Sequence, residues 1–255
     1  MPEISTVELP SQSTRVQTGG SGPPLLFLHS EANTSKWGEF HDLLAADFSV
    51  TAPVHPGFGG EDTPDWLEDI SDLVFHYVDL IEALGLDQPL VVGSSLGGWI
   101  AADLAIHRSD LISGAVLAGP LGLRPANPIP DIFIMELGDA VGHLSNTLDQ
   151  TQVNPMTGDA ELATQMWVEL ATQARVMWER GYDPRLTRRA HHAHCPMLVL
   201  AGDRDRLLPP DHAPRFAEVF GATFETVPDS GHLVNIDAPG ALADAVRRFH
   251  ASLEV

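Results

Sequence analysis

The chain of 255 residues holds a single cysteine, Cys195, and a single lysine, Lys36. With one thiol no intramolecular disulfide can form, which fits a reducing cytoplasm. No apolar run approaches the roughly 20 residues that span a bilayer. The opening stretch MPEISTVELP has neither a basic start nor an apolar core, so no signal peptide is expected. Positive charge is scarce, with 14 basic residues against 35 acidic ones and a formal net charge of −21. That balance repels nucleic acid and anionic membrane surfaces, and neither is expected as a partner. Lysine scarcity with arginine retained reads as genomic composition bias, with a salt-adapted surface as the sharper alternative. Also lacking are a Gly-rich phosphate loop, a paired-carboxylate glycosidase pattern, a basic stripe, internal repeats and low-complexity segments.

What is present is a globular composition, 44% hydrophobic and 19% charged. The length suits one large core, with room for a modest insertion. Leu25–His29, Phe48–Pro53, Leu90–Val92, Ala115–Ala118, Met197–Ala201 and Thr223–Val227 read as short buried strands. Helical spacing appears over Trp37–Ala46, Ile70–Leu84 and Trp99–His107, and again over Pro239–Leu253, where Asp237 is placed to cap. From about Arg124 to Ala190 the strand pattern stops and only helical stretches remain, such as Ala160–Arg180. Strands alternating with helices predict an α/β fold, a mostly parallel sheet covered on both faces. Ligands in such sheets bind at the carboxyl ends of the strands. The loops after Val92, Ala118, Ala201 and Val227 are therefore the places to look for chemistry.

One of those loops is Gly93-Ser94-Ser95-Leu96-Gly97, a G-x-S-x-G pattern. Alone it is weak; here it follows an apolar strand and opens a helix, as a nucleophile elbow requires. The turn must be sharp, its central residue strained and its flanking positions free of bulk. Ser95 is the central residue, and Ser94 is expected to be structural. The helix start places free N–H groups beside Ser95, so the Leu96 N–H can donate to a developing oxyanion. A packing turn without chemistry is the bland alternative.

A serine hydroxyl needs a base. His232 follows the Thr223–Val227 strand at the edge of the sheet where a base is expected. A carboxylate must orient it, and Gly202-Asp203-Arg204-Asp205 follows another strand. Asp205 is the choice and Asp203 the reserve, since only geometry separates them. The order Ser95, Asp205, His232 is the Ser…Asp…His order of α/β hydrolases.

Five stretches carry a resemblance to that superfamily: LLFLH at 25–29, PVHPGFGGEDTPD at 53–65, VVGSSLGGW at 91–99, LVLAGDRDRLLPP at 198–210 and DSGHLVNIDAP at 229–239. The chain looks like a small single-domain α/β hydrolase spanning 1–255, with a helical cap near 124–190. The resemblance implies Ser95 as nucleophile, His232 as base and Asp205 as its orienter. It also implies a second oxyanion donor after Leu25–His29, where relatives commonly carry His-Gly and this chain has His29-Ser30-Glu31. By position that donor is the Glu31 backbone N–H, with the Ser30 hydroxyl as alternative. Serine in a glycine-only backbone region would cost on the order of 1–3 kcal/mol. An inward Glu31 carboxylate would repel an oxyanion, so its side chain is expected to face solvent or a partner.

Other candidates have plainer readings. His191, His192, His194 and Cys195 lack the paired spacing of a closed zinc site, and no metal or cofactor is expected. His29 reads as a structural hydrogen bonder, and His55 as part of a surface loop or the site's mouth. Trp99 reads as packing. Phe133, Met135, Met166, Trp167, Met177 and Trp178 read mostly as cap packing, some of them facing an apolar pocket. The expected function is hydrolysis of a small, mostly apolar carboxylic ester through an acyl-serine. Cleavage of a ketone-adjacent C–C bond or of a lactone is the enzymatic alternative, and a non-catalytic small-molecule binder the other. Related dehalogenases and epoxide hydrolases use aspartate as nucleophile, which counts against those activities.

Overall fold

The structure, a computed structural model, describes residues 1–31, 35–148, 160–177 and 181–253. Eight strands form one sheet: β1 (Glu3–Val7), β2 (Thr14–Gly19), β3 (Pro24–Leu28), β4 (Ser49–Pro53), β5 (Leu90–Ser94), β6 (Gly114–Ala118), β7 (Met197–Gly202) and β8 (Thr223–Val227). Their order is β1-β2-β4-β3-β5-β6-β7-β8. β2 pairs antiparallel with β1 and β4, and every other pairing is parallel. The sheet is therefore the expected mostly parallel α/β sheet, extended by an N-terminal hairpin that the strand reading did not include.

The helices are α1 (Glu39–Ala45), α2 (Ile70–Leu84), α3 (Leu96–Arg108), α4 (Leu137–Leu144), α5 (Ala160–Met177), α6 (Leu186–Arg189), α7 (His212–Phe220), α8 (Val234–Asp237) and α9 (Pro239–Leu253). Alternate residues of each central strand face opposite sides, as the pleat dictates. Leu26, Leu28, Val91, Leu117 and Val199 pack with α2, α3 and α7 on one face. Phe27, Val92, Val116, Leu198 and Leu200 pack with α1 and α9 on the other. Both faces are buried, so the strands read as near-continuous apolar runs rather than alternating ones.

Between β6 and β7 the chain contains α4, α5 and α6. Trp178 lies outside the described residues. α5 sits against the loop after β4: Glu169 Oε1 accepts the Gly59 N–H at 2.8 Å, and Thr172 Oγ1 donates to the Gly57 carbonyl at 3.1 Å. Asp237 does something other than the expected capping of α9. It ends α8, and its carboxylate accepts the Gly231 N–H at 2.8 Å and the Ser145 hydroxyl at 2.5 Å. That contact ties the loop before α8 to the end of α4.

Candidate active site

The carboxyl ends of β3, β5, β7 and β8 bring Glu31, Ser95, Asp205 and His232 to one edge of the sheet. β5 runs into α3 with Ser95 between them at φ 51°, ψ −108°, a backbone region that costs a non-glycine residue on the order of 1–3 kcal/mol. The flanking glycines make the turn possible. A Cβ on Gly93 would run into the Gly97 carbonyl, and one on Gly97 into the carbonyl of Leu28 on the adjoining strand. The turn is held in turn by its own backbone, with Ser95 N–H on Ala118 O at 2.9 Å and Leu121 N–H on Ser95 O at 3.2 Å. Ser94 is buried, and its hydroxyl donates to Asn235 Oδ1 at 2.8 Å, a structural tie between β5 and α8.

Ser95 Oγ lies 2.7 Å from His232 Nε2, and His232 Nδ1 lies 2.9 Å from Asp205 Oδ2. The other Asp205 oxygen accepts the N–H groups of Leu207 and Leu208 at 2.8 and 2.9 Å, which fixes the carboxylate's direction. Asp203 is exposed, its backbone paired with Val227, and the carboxylate that reaches His232 is that of Asp205. Burial alone would lower the His232 pKa. The Asp205 carboxylate, by charge and hydrogen bond, and the Glu31 carboxylate outweigh it, and the pKa lies above the ordinary histidine value. Asp205 moves the other way: burial raises it, but His232 and the two backbone donors hold it below the ordinary carboxylate value. The two directions agree on an ion pair when the ring is charged.

Glu31 departs from expectation. Its side chain does not reach solvent; the residue is 1% exposed. Oε1 lies 3.0 Å from Ser95 Oγ, and Oε2 accepts the Leu96 N–H at 3.2 Å. The carboxyl thus fills the space where an oxyanion would sit. The reason is local: the N-terminal end of α3 presents a free N–H and a positive dipole end, and a carboxylate is the group that such an end attracts. Sequence spacing could not supply this, because Glu31 and Ser95 stand 64 residues apart. Gln173 of α5 donates to the Glu31 carbonyl, a contact for which the sequence carries no signal. Ser30 is buried, and its backbone lies outside the left-handed region, so the expected strain at that position does not arise.

The cavity beside Glu31 has a volume of about 360 Å³ and is walled by Leu121, Ile129, Ile132, Phe133, Met177 and Leu207. Glu31 and Asp131 add two acidic groups to it, and Tyr182 a phenol. Ser95 and His232 are wholly buried, so Glu31 is the wall that separates the cavity from the serine. A larger cavity of about 600 Å³, near Trp99 and Asp103, does not include Ser95, His232 or Glu31 among its lining residues. Trp99 packs as expected, 3% exposed, against Gly122. His55 is neither surface loop nor mouth: it is buried, and its ring packs tilted against that of His29, with centroids 3.7 Å apart. Among the described residues no cluster of three or more metal-ligating side chains forms.

The model of the alpha/beta hydrolase family matches residues 25–245. A 2-hydroxy-6-oxo-6-(2'-aminophenyl)hexa-2,4-dienoic acid hydrolase of Metapseudomonas resinovorans is 27% identical, over 92% of this chain and 87% of that protein. Two solved structures share the fold. A serine hydrolase involved in carbazole degradation superposes with a TM-score of 0.80 at 24% identity, covering 98% of this chain and 99% of that one. An esterase from Rhodococcus sp. superposes with a TM-score of 0.76 at 21% identity, with the same coverage of 98% and 99%.

Proposed function

The chain belongs to the alpha/beta hydrolase family, and from that premise we propose that it is a serine hydrolase cleaving a small, mostly apolar carboxylic ester. The observation that carries this reading is the relay on the strained turn: Ser95 Oγ at 2.7 Å from His232 Nε2, with Asp205 on the far ring nitrogen. In the reaction His232 takes the Ser95 proton as Oγ bonds to the carbonyl carbon and the C=O π pair moves onto oxygen. That oxygen takes over the Leu96 N–H, now held by Glu31. Collapse expels the alcohol, which leaves with the proton from His232. Water then repeats the sequence on the acyl-serine, giving the carboxylic acid and free enzyme. The helices between residues 124 and 190 serve as a cap over this site, and the Gln173 contact to the Glu31 carbonyl supports that role.

Cleavage of a ketone-adjacent C–C bond is the second reading, favoured by the dienoic acid hydrolase among the relatives. The Asp131 carboxylate on the cavity weighs against it, because a dienoate's own carboxylate would face like charge there. An uncharged ester meets no such penalty. The test is a series of p-nitrophenyl esters of increasing acyl length, run beside a ring-cleavage dienoate and a lactone. Turnover of the esters, abolished in Ser95→Ala, supports ester hydrolysis. Turnover of the dienoate alone would move the assignment to C–C cleavage, and binding of ligands without turnover would leave a binder.

A further inference from the structure

Two contacts of Ser95 set a proton count. Its Oγ lies 2.7 Å from His232 Nε2 and 3.0 Å from Glu31 Oε1, and the hydroxyl has one hydrogen. His232 Nδ1–H is committed to Asp205, so Nε2 is an acceptor in the neutral ring. For both Ser95 contacts to be hydrogen bonds, one more proton must sit on His232 or on Glu31. If it is on His232, the imidazolium donates to Oγ and the hydroxyl donates to the Glu31 carboxylate; the base is then unavailable. If it is on Glu31, the carboxyl O–H donates to Oγ and the hydroxyl donates to neutral His232, the arrangement from which attack proceeds.

We propose that Glu31 is a second acid–base residue of the reaction, sharing one proton with His232 across the Ser95 hydroxyl. In the reacting complex that proton is on Glu31. The side chain yields the Leu96 N–H to the substrate carbonyl, shifts into the cavity it already walls, and donates its O–H to the same oxygen. As Oγ attacks, the Ser95 proton passes to His232, the π pair settles on oxygen, and Leu96 N–H and Glu31 O–H hold the charge. On collapse the pair returns to the carbonyl, the leaving group takes the proton from His232, and Glu31 keeps its own. Ionised Glu31 would instead repel the same oxyanion. The inference rests on Ser95 being the nucleophile.

Other ionisable groups face this pair. Asp205 holds the far side of His232, and His212, whose Nε2 bonds the Pro120 carbonyl, is within electrostatic reach of both. His29 stands two residues before Glu31 with its Nδ1–H on the Ser30 carbonyl, while Asp131 and Tyr182 share the cavity wall. The active form carries one shared proton. Two protons block the base, and none leaves a carboxylate against the oxyanion.

The test needs no natural substrate. The rate at which a fluorophosphonate ester labels Ser95 is measured across pH in the wild type, Glu31→Gln and Glu31→Ala, with circular dichroism at each pH. The wild-type rate should rise, pass a maximum and then fall about tenfold per pH unit, the behaviour of one essential acid being lost. Glu31→Gln keeps an N–H donor that does not titrate, so its alkaline fall should vanish into a plateau. Glu31→Ala should plateau roughly 10²–10³ below it, the usual cost of one oxyanion donor. A wild-type profile that only rises to a plateau, with the fold intact, would overturn the proposal without any variant. So would both variants exceeding wild type by one constant factor at every pH, since Glu31 would then be only an obstruction. Absence of adduct at every pH would instead overturn the assignment of Ser95 as nucleophile.

Discussion

His232 and His55 are both wholly buried, and burial sends them in opposite chemical directions because of what lies beside them. His232 has a carboxylate on one ring nitrogen and a serine hydroxyl on the other, with Glu31 across the serine. Its charged form is supported, and its pKa lies above the ordinary value. His55 gives its Nε2–H to the His29 carbonyl at 2.8 Å and takes the Tyr77 hydroxyl on Nδ1. His29 in turn gives Nδ1–H to the Ser30 carbonyl and takes the His55 N–H on Nε2 at 2.9 Å. All those partners are neutral, so desolvation wins: His55 is pushed well below the ordinary histidine value and His29 down to about 4, each also lowered by a neighbouring histidine. The same side chain, equally dry, serves as a base in one place and as a fixed crosslink in the other. The neighbouring carboxylate makes the difference, not the depth.

The largest effect should come from making His232 resemble His55. Asp205→Asn removes the carboxylate and admits the wrong tautomer, so kcat should fall about 10⁴-fold with folding preserved. Asp203→Asn, on the exposed neighbour, should cost far less; a reversal of the two would reassign the carboxylate. Next in size is the acid response of the neutral cluster. A histidine whose folded pKa is lowered contributes stability that is fully present above its unfolded value of 6.5 and is lost as pH falls from there toward the folded value of about 4. For His29 alone that shift amounts to roughly 3 kcal/mol. Urea unfolding should show the midpoint falling from pH 7 to pH 4.5, and a flat midpoint would mean that these rings are not buried neutral.

Smaller still is Tyr77→Phe, which leaves His55 Nδ1 without its donor and should cost about 1–3 kcal/mol in stability. The rate constant of the ester reaction should barely move, since the ring does not touch Ser95. Smallest is Ser30→Gly, which restores the residue common among relatives. Ester turnover should stay within a few fold; a fall of roughly 10²–10³ in kcat with unchanged substrate binding would make the Ser30 hydroxyl an oxyanion donor.

The parallel half of the sheet was legible because its strands are buried on both faces and read as apolar runs. β1 was missed because its residues are mostly exposed, and β2 because its polar residues break the run. Ser95 was legible from its glycines, whose need is steric and local. The choice between Asp205 and Asp203 was not, because it turns on which carboxylate the Leu207 and Leu208 N–H groups aim at the ring. Repulsion during the reaction argues for a Glu31 side chain that faces solvent or a partner, away from the oxyanion. Its inward position answers to the resting molecule, where the start of α3 and a protonatable His232 attract a carboxylate. The Pro-Gly turn after His55 looks superficial in sequence, yet His55 is buried and α5 bonds the Gly57 carbonyl of that turn.

Whether Ser95 is the nucleophile is decided by intact-mass and peptide mapping after fluorophosphonate treatment at neutral pH. One adduct is expected, on Ser95, formed quickly in wild type, absent in Ser95→Ala, and slowed by orders of magnitude in Asp205→Asn. An adduct that persists in Ser95→Ala, or wild-type protein that takes none, would contradict that role.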